Sequence, residues 1–313
     1  MLTSNTTFAS PLRYPGGKTA ISNFMKLILC QNDLLDGQYI ELYAGGAGVA
    51  WSLLFEEYVH NIIINDISKP LYTFWHSVLR DTDNLCKLIY DTPVTIEEWH
   101  RQKHIQLRPE GYSSLELGFS TFFLNRTNRS GILQAGVIGG KDQNGKFKLD
   151  ARFNKRDLIM RIHRIARYST RVTLYNLDAS HLIKNILPDI SLRSLVYLDP
   201  PYYMKGHGLY ENHYSHDDHV ALASLICDTI KHPWVVSYDA APKIIALYNE
   251  YRSIQYNLNY SAQERYSGSE IMFFSHNMVI PNATKSGVNS SPHLITPSIH
   301  PAHVTQADLV LSR

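Results

Sequence analysis

The chain has 313 residues, of which 44% are hydrophobic and 19% charged, with a formal net charge of +2 and a pI near 8.3. That length can bury a large core, and three widely spaced cysteines, Cys30, Cys86 and Cys227, without any C-x-x-C spacing exclude a disulfide scaffold or a zinc knuckle and fit a reducing compartment. No apolar run approaches the roughly 20 residues that span a bilayer and the N-terminus has no secretory pattern, so the expectation is a cytoplasmic protein with no membrane partner.

In chain order, the first patterned segment is Pro15-Gly16-Gly17-Lys18-Thr19. It is not a nucleotide phosphate loop: G-x-x-x-x-G-K-[ST] ending at Thr19 requires glycine where Leu12 stands, and no strand precedes it. Lys18, beside a flexible glycine pair, is suited to reach a carboxylate as a point charge. Gln38 to Tyr43 is an apolar run followed by the small-residue turn Ala44 to Gly48 and a helical pattern through Val49, Leu53 and Leu54, which predicts strand, turn and helix. His60 to Asn65 is a β-branched run ending on Asp66, after which Ser68 is placed to cap a helix carrying Leu71, Phe74, Trp75 and Val78. Further strands are predicted at Arg171 to Tyr175, Ser194 to Leu198 and Trp234 to Ser237, each followed by a helical pattern, and this alternation points to a parallel α/β sheet. Ser253 to Tyr260 and Ile271 to His276 read as a C-terminal antiparallel hairpin.

The alternation stops between 81 and 168, where helical patterns surround a glycine-rich stretch. Between Arg101 and Arg171 fifteen Lys or Arg face five acids, an excess that suits a phosphate backbone. The expected organisation is therefore a catalytic domain from 10–80 and 169–280, a mostly helical inserted lobe at 81–168, and a flexible tail at 281–313, rich in Ser, Pro, Thr, Asn and His.

Asp199-Pro200-Pro201-Tyr202 follows the apolar run Leu195 to Leu198, at the carboxyl end of a predicted strand, where open α/β sheets bind ligands. The two prolines fix the backbone, so the Asp199 carboxylate and the Pro200 carbonyl become rigid acceptors. A primary aromatic amine offers two N–H donors to such a pair, which would turn its lone pair toward an electrophilic methyl group, with Tyr202 as a stacking face. The Ala44 to Gly48 turn allows close approach of a ligand, but a dinucleotide fingerprint counted from Gly46 would need glycine where Trp51 stands, so nicotinamide is disfavoured. Asp66, at the end of the second strand, sits where nucleoside-binding sheets carry a ribose-binding carboxylate. His213, His216, Asp217, Asp218 and His219 form a cluster that reads better as a helix start with acidic caps than as a metal site, and no metal is expected.

Arg13-Tyr14-Pro15-Gly16-Gly17-Lys18, the glycine turn after Glu41, Asp66, the basic insert and Asp199-Pro200-Pro201-Tyr202 stand in the order of the Dam-type N6-adenine DNA methyltransferases, which the chain resembles from about Leu12 to Asn277. The resemblance implies a Rossmann-like S-adenosylmethionine-dependent methyltransferase sheet with an inserted target-recognition lobe. It implies site-specific transfer of a methyl group from S-adenosyl-L-methionine to N6 of adenine in double-stranded DNA, by base flipping. Its cofactor site would comprise Tyr14, Lys18, Glu41, Ala44, Gly45, Gly46, Gly48, Asp66, Asp178 and Asp199, and its catalytic residues Asp199, Pro200, Pro201 and Tyr202. Tyr14 stands where Dam itself has tryptophan. DNA would be met by Asn125, Arg126, Asn128 and Arg129, with Lys141, Lys146, Arg152 and Lys155 of the following stretch; Asn and Arg suit base edges, while Lys and Arg also bind phosphates. The insert departs from Dam's Asn-Arg-Tyr pattern, which leaves the recognition sequence open. The loop from Tyr203 to Tyr214 is expected to close over the site and Ala262 to Glu270 to touch the DNA backbone. A bacterial or phage origin, a cognate restriction endonuclease and a monomeric or homodimeric state are the settings that the resemblance allows. An N4-cytosine or RNA adenine methyltransferase and a catalytically silent DNA-binding relative are the competing readings.

Overall fold

A computed structural model of the chain describes residues 9–13, 18–204, 214–259, 267–281 and 293–295. Its elements run α1 (Ser22–Gln31), β1 (Gly37–Glu41), α2 (Gly48–Phe55), β2 (Val59–Asn65), α3 (Lys69–Arg80), α4 (Thr82–Asp91), α5 (Ile96–Leu107), α6 (Ser114–Thr127) and α7 (Lys155–Ala166). They continue as β3 (Val172–Tyr175), α8 (Ala179–Asn185), β4 (Ser194–Leu198), α9 (His216–Thr229), β5 (Trp234–Asp239), α10 (Pro242–Leu247), β6 (Arg252–Asn259), β7 (Ser267–Phe274) and β8 (His293–Ile295).

The strands form one sheet of order β3-β2-β1-β4-β5-β7-β6-β8. The first five are parallel, and β7 enters antiparallel between β5 and β6. Order therefore reverses between β1 and β4, and such a switch point opens a crevice at the carboxyl ends of the two strands. The predicted hairpin is β6 and β7, with one shift. β7 begins at Ser267 rather than Ile271, because the ladder to β6 carries the loop-like Ser-Gly-Ser-Glu sequence into the sheet, with β5 joining at Glu270. Within the segment expected to be a flexible tail, residues 293–295 form β8 and pair antiparallel with β6.

The central strands β1, β4 and β5 are buried on both faces, and side chains alternate between two cores as the pleat requires. Tyr39, Leu195, Tyr197 and Val235 face one, Ile40, Val196, Leu198 and Val236 the other. Helices α8 to α10 cover the second face. On the first, Phe119, Phe122 and Phe123 of α6 and Leu158, Ile162 and Ile165 of α7 join Phe24, Trp51 and Phe74 in one continuous cluster. The segment 81–168 thus shares its core with the sheet. A capping box of Ser113 and Glu116 starts α6. Farther along, Gly118 lets α6 lie directly on α3: a Cβ there would stand 2.7 Å from the Thr73 carbonyl oxygen. Burying an aromatic such as Phe122 in this cluster contributes about 2 to 3 kcal/mol. No helix among the described residues is long and apolar enough to cross a membrane.

Candidate active site

The carboxyl edge of the sheet is braced from β2. Asn65, buried at the end of that strand, donates from Nδ2 to the carbonyls of Leu42 and Leu177 and accepts at Oδ1 from the Leu177 N–H, all at 3.0 Å. One side chain therefore ties together the segments leaving β1, β2 and β3. Asp66 accepts from Gly45 N–H through Oδ2 and from Ser68 N–H through Oδ1, each at 2.9 Å. The Ser68 hydroxyl makes no cap bond to α3, while the Asp66 carboxylate holds the Ser68 N–H before the helix and the glycine turn together. Trp75 Nε1 donates to the Gly45 carbonyl at 2.9 Å. Held from both sides, Gly45 has φ +47°, a region that favours glycine.

Glu41 ends β1 beside this turn with 4% exposure. Burial, reinforced by the nearby Asp199, pushes its carboxyl well above the usual carboxylate range. Its Oε2 is buried without a hydrogen-bond partner among the described residues. An orphaned buried oxygen beside the glycine turn fits a ligand that carries an amino group, as the methionine end of a sulfonium donor does. Asp178 caps α8 through Ser180 N–H at 2.8 Å and lines a groove of about 510 Å³ with Ser180, Tyr214 and Asp218. Tyr14 lies outside the described residues.

The tetrapeptide leaves β4 at the switch point. Asp199 Oδ1 accepts from Ser237 Oγ at 2.7 Å and from Lys18 Nζ at 3.2 Å. Ser237 is in turn 2.7 Å from the Tyr197 hydroxyl. Oδ2 carries no bond to the described residues, and the Asp199 side chain keeps 19% exposure, so one oxygen is fixed and the other is open. Burial, opposed by the Lys18 ammonium and raised further by Glu270, pushes the Asp199 carboxyl up to about 6. After the tetrapeptide, buried Asp239 at the end of β5 accepts from the N–H groups of Tyr203 and Met204 at 2.9 and 2.8 Å and fixes the exit of the chain. The sequence singles out neither Asp239 nor Asn65.

Three expectations change here. Lys18 was expected at the cofactor's carboxylate, but its ammonium bonds the protein's own carboxylates, Glu270 Oε2 at 2.9 Å and Asp199 Oδ1, as well as the Tyr202 hydroxyl. Tyr202 was expected to present an open face. It is 4% exposed, its hydroxyl donates to Glu270 Oε1 at 2.6 Å, and Lys18 Nζ lies 4.7 Å from its ring centroid. Glu270 itself was expected at the DNA backbone. It is fully buried, and Tyr256 also donates to its Oε2, at 2.8 Å. The one-strand reach of β7 explains this: Glu270 pairs in register with Asp239 of β5 and Tyr256 of β6, inside the sheet. Residues 205–213 and 260–266, on which the remaining loop expectations fall, lie outside the described residues.

The residues expected to meet DNA divide into two groups. Asn125 and Asn128 are buried with their amides committed to the fold. Asn125 brackets Arg13, accepting from its N–H at 2.7 Å and donating to its carbonyl at 2.6 Å, and donates also to the Gly131 carbonyl at 2.9 Å. Asn128 accepts from Trp99 Nε1 at 2.7 Å and donates to the carbonyls of Ile132 and Leu133. These amides act as structural brackets, their hydrogen bonds spent within the fold rather than left open for a base edge. Lys155 is also largely spent, donating to the carbonyls of Tyr90 and Thr92 at 2.7 Å each, where α4 ends. Arg129, Lys141, Lys146 and Arg152 are exposed. Arg126 donates to the Arg152 carbonyl at 2.8 Å and to the Pro11 carbonyl at 3.3 Å, which gathers Arg13, Arg126 and Arg152 into one cluster. Arg161 joins them by donating to the Ser10 carbonyl at 3.3 Å. Burial and then the neighbouring arginines lower the guanidinium of Arg126 to about 9, and burial with Arg152 lowers that of Arg13 to about 10. Arg13 adds to the expected set, and the signal for it was its place directly before Tyr14 in the first motif. In the histidine-rich segment, Asp218 forms a capping box with Ser215, and His219 is buried 3.2 Å from the Tyr238 hydroxyl. No group of three metal-ligating side chains occurs among the described residues.

A sheet with this strand order, a glycine turn after β1 and an acid-proline corner after β4 defines a Rossmann-like methyltransferase, a class that uses a methyl donor of the S-adenosylmethionine type. The chain belongs to the D12 class of N6 adenine-specific DNA methyltransferases: the sequence model of that family matches residues 14–262, and Dam-type enzymes fall in the same family. No curated protein sequence matches the chain. Among solved structures it is similar to a conserved hypothetical protein of Streptococcus pyogenes, at 12% identity and a TM-score of 0.31, over 78% of this chain and 88% of that one. It is also similar to the rRNA methyltransferase aviRa of Streptomyces viridochromogenes, at 11% identity and a TM-score of 0.36, over 87% and 91%. Protein LPL1258 of Legionella pneumophila aligns at 12% identity and a TM-score of 0.34, over 94% and 99%. Likenesses this distant carry no weight in the assignment, which rests on the family match.

Proposed function

We propose that this chain is a site-specific adenine methyltransferase that moves the methyl group of S-adenosyl-L-methionine to N6 of adenine in duplex DNA, with the base flipped out of the helix. The observation that carries this reading is the asymmetry of Asp199. Its Oδ1 is held by Ser237 and Lys18 while Oδ2 remains open at the switch point, next to the Pro200 carbonyl. Two rigid acceptors of this kind suit the two N–H groups of an exocyclic amine and leave its lone pair directed at the methyl group. Glu41, Asp66 and the turn from Ala44 to Gly48 are the residues that would hold the cofactor, the orphaned Glu41 oxygen receiving its amino group and Asp66 lying at the ribose position. Bound there, the cofactor supplies an electrophilic methyl on sulfur. The protein's part is positioning and the electrostatics of two acceptors that meet positive charge as it develops on nitrogen.

In this reading 10–80 and 169–280 form the catalytic domain, and 81–168 meets DNA through Arg126, Arg129, Lys141, Lys146 and Arg152, joined by Arg13 from the segment before α1. A half-buried arginine cluster whose members repel one another is relieved by a phosphate group, which supports a nucleic-acid backbone as its partner. Flipping adenine costs a few kcal/mol of unstacking, met by the pocket.

The deciding experiment incubates the protein with S-adenosyl-L-methionine and either duplex DNA or RNA, digests the product to nucleosides and identifies it by mass. N6-methyldeoxyadenosine is expected, and it should vanish with Asp199→Asn. N4-methylcytosine or methylated RNA as the sole product would overturn the substrate assignment, and cofactor binding without any transfer would mark a silent relative.

A further inference from the structure

Glu270 lies beyond residues 14–262, which the family match covers, on an antiparallel strand that contributes no part of the recognised motifs. It is nevertheless the most enclosed charged side chain of the site. At 0% exposure its carboxylate takes three donors: the Tyr202 hydroxyl on Oε1, and the Tyr256 hydroxyl and Lys18 ammonium on Oε2. A carboxylate is kept inside a protein only with such partners, because an unpaired one would cost several kcal/mol. Tyr202 and Tyr256 could each satisfy a hydroxyl without an acid nearby. Packing alone does not explain Glu270.

Its relation to Lys18 and Asp199 does. The ammonium lies between two carboxylates, 2.9 Å from Glu270 and 3.2 Å from Asp199, and it meets Asp199 on Oδ1, the oxygen already bonded by Ser237. Without a second anion, Lys18 would close fully on Asp199, and its three donors could take Oδ2 as well. That oxygen is the one an incoming amine needs.

We infer that Glu270 is a positioning residue for methyl transfer: it draws the Lys18 ammonium off Asp199, so that Oδ2 stays available to the target amine. The inference rests on the reading of Asp199 as the amine acceptor, but its electrostatic part stands by itself. The groups facing Asp199 are Lys18, Glu41 and Tyr39 on β1, Tyr197 on β4, Tyr256 on β6 and Glu270 on β7. Of these, Lys18 alone favours the ionised form by charge, and Glu270 opposes it. Glu270→Gln keeps the shape and removes the opposition, and lets Lys18 settle on Asp199. Lys18→Met removes the cation. The two substitutions therefore move Asp199 in opposite directions, which a general loss of packing would not do.

The test is a pH titration of the full chain labelled with ¹³C at the aspartate carboxyl carbon, with the Asp199 signal assigned from its absence in Asp199→Asn. Relative to the unsubstituted chain, the Asp199 midpoint should fall by about one unit in Glu270→Gln and rise by a similar amount in Lys18→Met. With folding verified by circular dichroism, a midpoint in Glu270→Gln that stays put or rises overturns the inference. If Glu270→Gln does not fold, Tyr256→Phe takes one donor from Glu270, which then holds Lys18 more firmly. Its midpoint should rise, and an unchanged or lowered one overturns the inference. In the methylation assay Glu270→Gln should lower kcat about tenfold, the equivalent of one unit, with KM for the cofactor unchanged. If the unsubstituted chain transfers no methyl group to adenine, the functional reading falls, while the titration still decides whether Glu270 holds Lys18 off Asp199.

Discussion

Replacing Asp199 by Asn should make the protein more stable and nearly inactive. In the folded state the carboxyl is raised from 3.8 to about 6, with burial as the main cause. The folded chain therefore binds this proton more tightly than the unfolded one. Between those values stability falls as pH rises, since the charged form must be carried in a buried site, and below about pH 4 the penalty is absent. A gap of about two units corresponds to about 3 kcal/mol at pH 8. Asn has the shape of the neutral acid, can still accept at Oδ1 from Ser237 and Lys18, and leaves Lys18 its bond to Glu270. Urea unfolding at pH 8 should place Asp199→Asn above the unsubstituted chain by up to about 3 kcal/mol, and the two should converge near pH 4. The same substitution puts an N–H donor where the amine needs an acceptor, and kcat should drop by about 10² to 10³. For the unsubstituted enzyme, kcat should climb through pH 6 to a plateau, with the value at pH 5 about tenfold lower. A variant that is destabilised at pH 8, or whose stability offset is the same at pH 4 and pH 8, would refute the reasoning that a buried charge is maintained there for chemistry.

Three further outcomes are expected. Asn125→Ala removes three hydrogen bonds and strands the Arg13 backbone groups, so it should cost about 3 kcal/mol in urea unfolding; a change in preferred base with stability intact would instead make Asn125 a base reader. Arg13→Ala should weaken duplex binding equally across sequences and reduce the slope of log K against log salt by about one, whereas an unchanged slope would remove Arg13 from the phosphate contacts. Asp239→Ala frees the Tyr203 and Met204 N–H groups behind the tetrapeptide, and kcat should fall by about 10² as the acceptors lose their placement, while cofactor affinity measured by calorimetry stays level.

Parts of this architecture were legible because the relevant information is local. The β-branched run through Ile64, the small residues from Ala44 to Gly48 and the prolines after Asp199 each restrict the backbone within a few residues, and strands, turn and acid-proline corner fall where those restrictions put them. Asp218 serves the start of α9 as the acidic run there indicates, although the capping residue itself is Ser215. What was illegible depends on partners remote in sequence. Glu270 sits in a polar stretch that looks like a loop, and only pairing with β5 and β6 turns it inward. Asn125 and Asn128 carry the right side chains for reading bases, and nothing in a single sequence says that Arg13, 112 positions away, and Trp99 claim their amides first.

The same remoteness explains why the site can be both rigid and reactive. Asp199 is fixed by groups from four strands and the segment before α1, through Ser237, Tyr197, Glu270, Tyr256 and Lys18. A buried network of this size is favourable only when its members are satisfied, and here the bonds converge on one oxygen of Asp199 and on Glu270. The positions left without a partner among the described residues near the switch point include two carboxylate oxygens, Asp199 Oδ2 and Glu41 Oε2, beside the buried Tyr39 hydroxyl. An amine on the base and an amine on the cofactor would complete them, so binding the two substrates and satisfying the fold are the same event. Filling Glu41 without a ligand, by Glu41→Gln, should therefore stabilise the chain above neutral pH and weaken cofactor binding in calorimetry. Unchanged cofactor affinity would break that link.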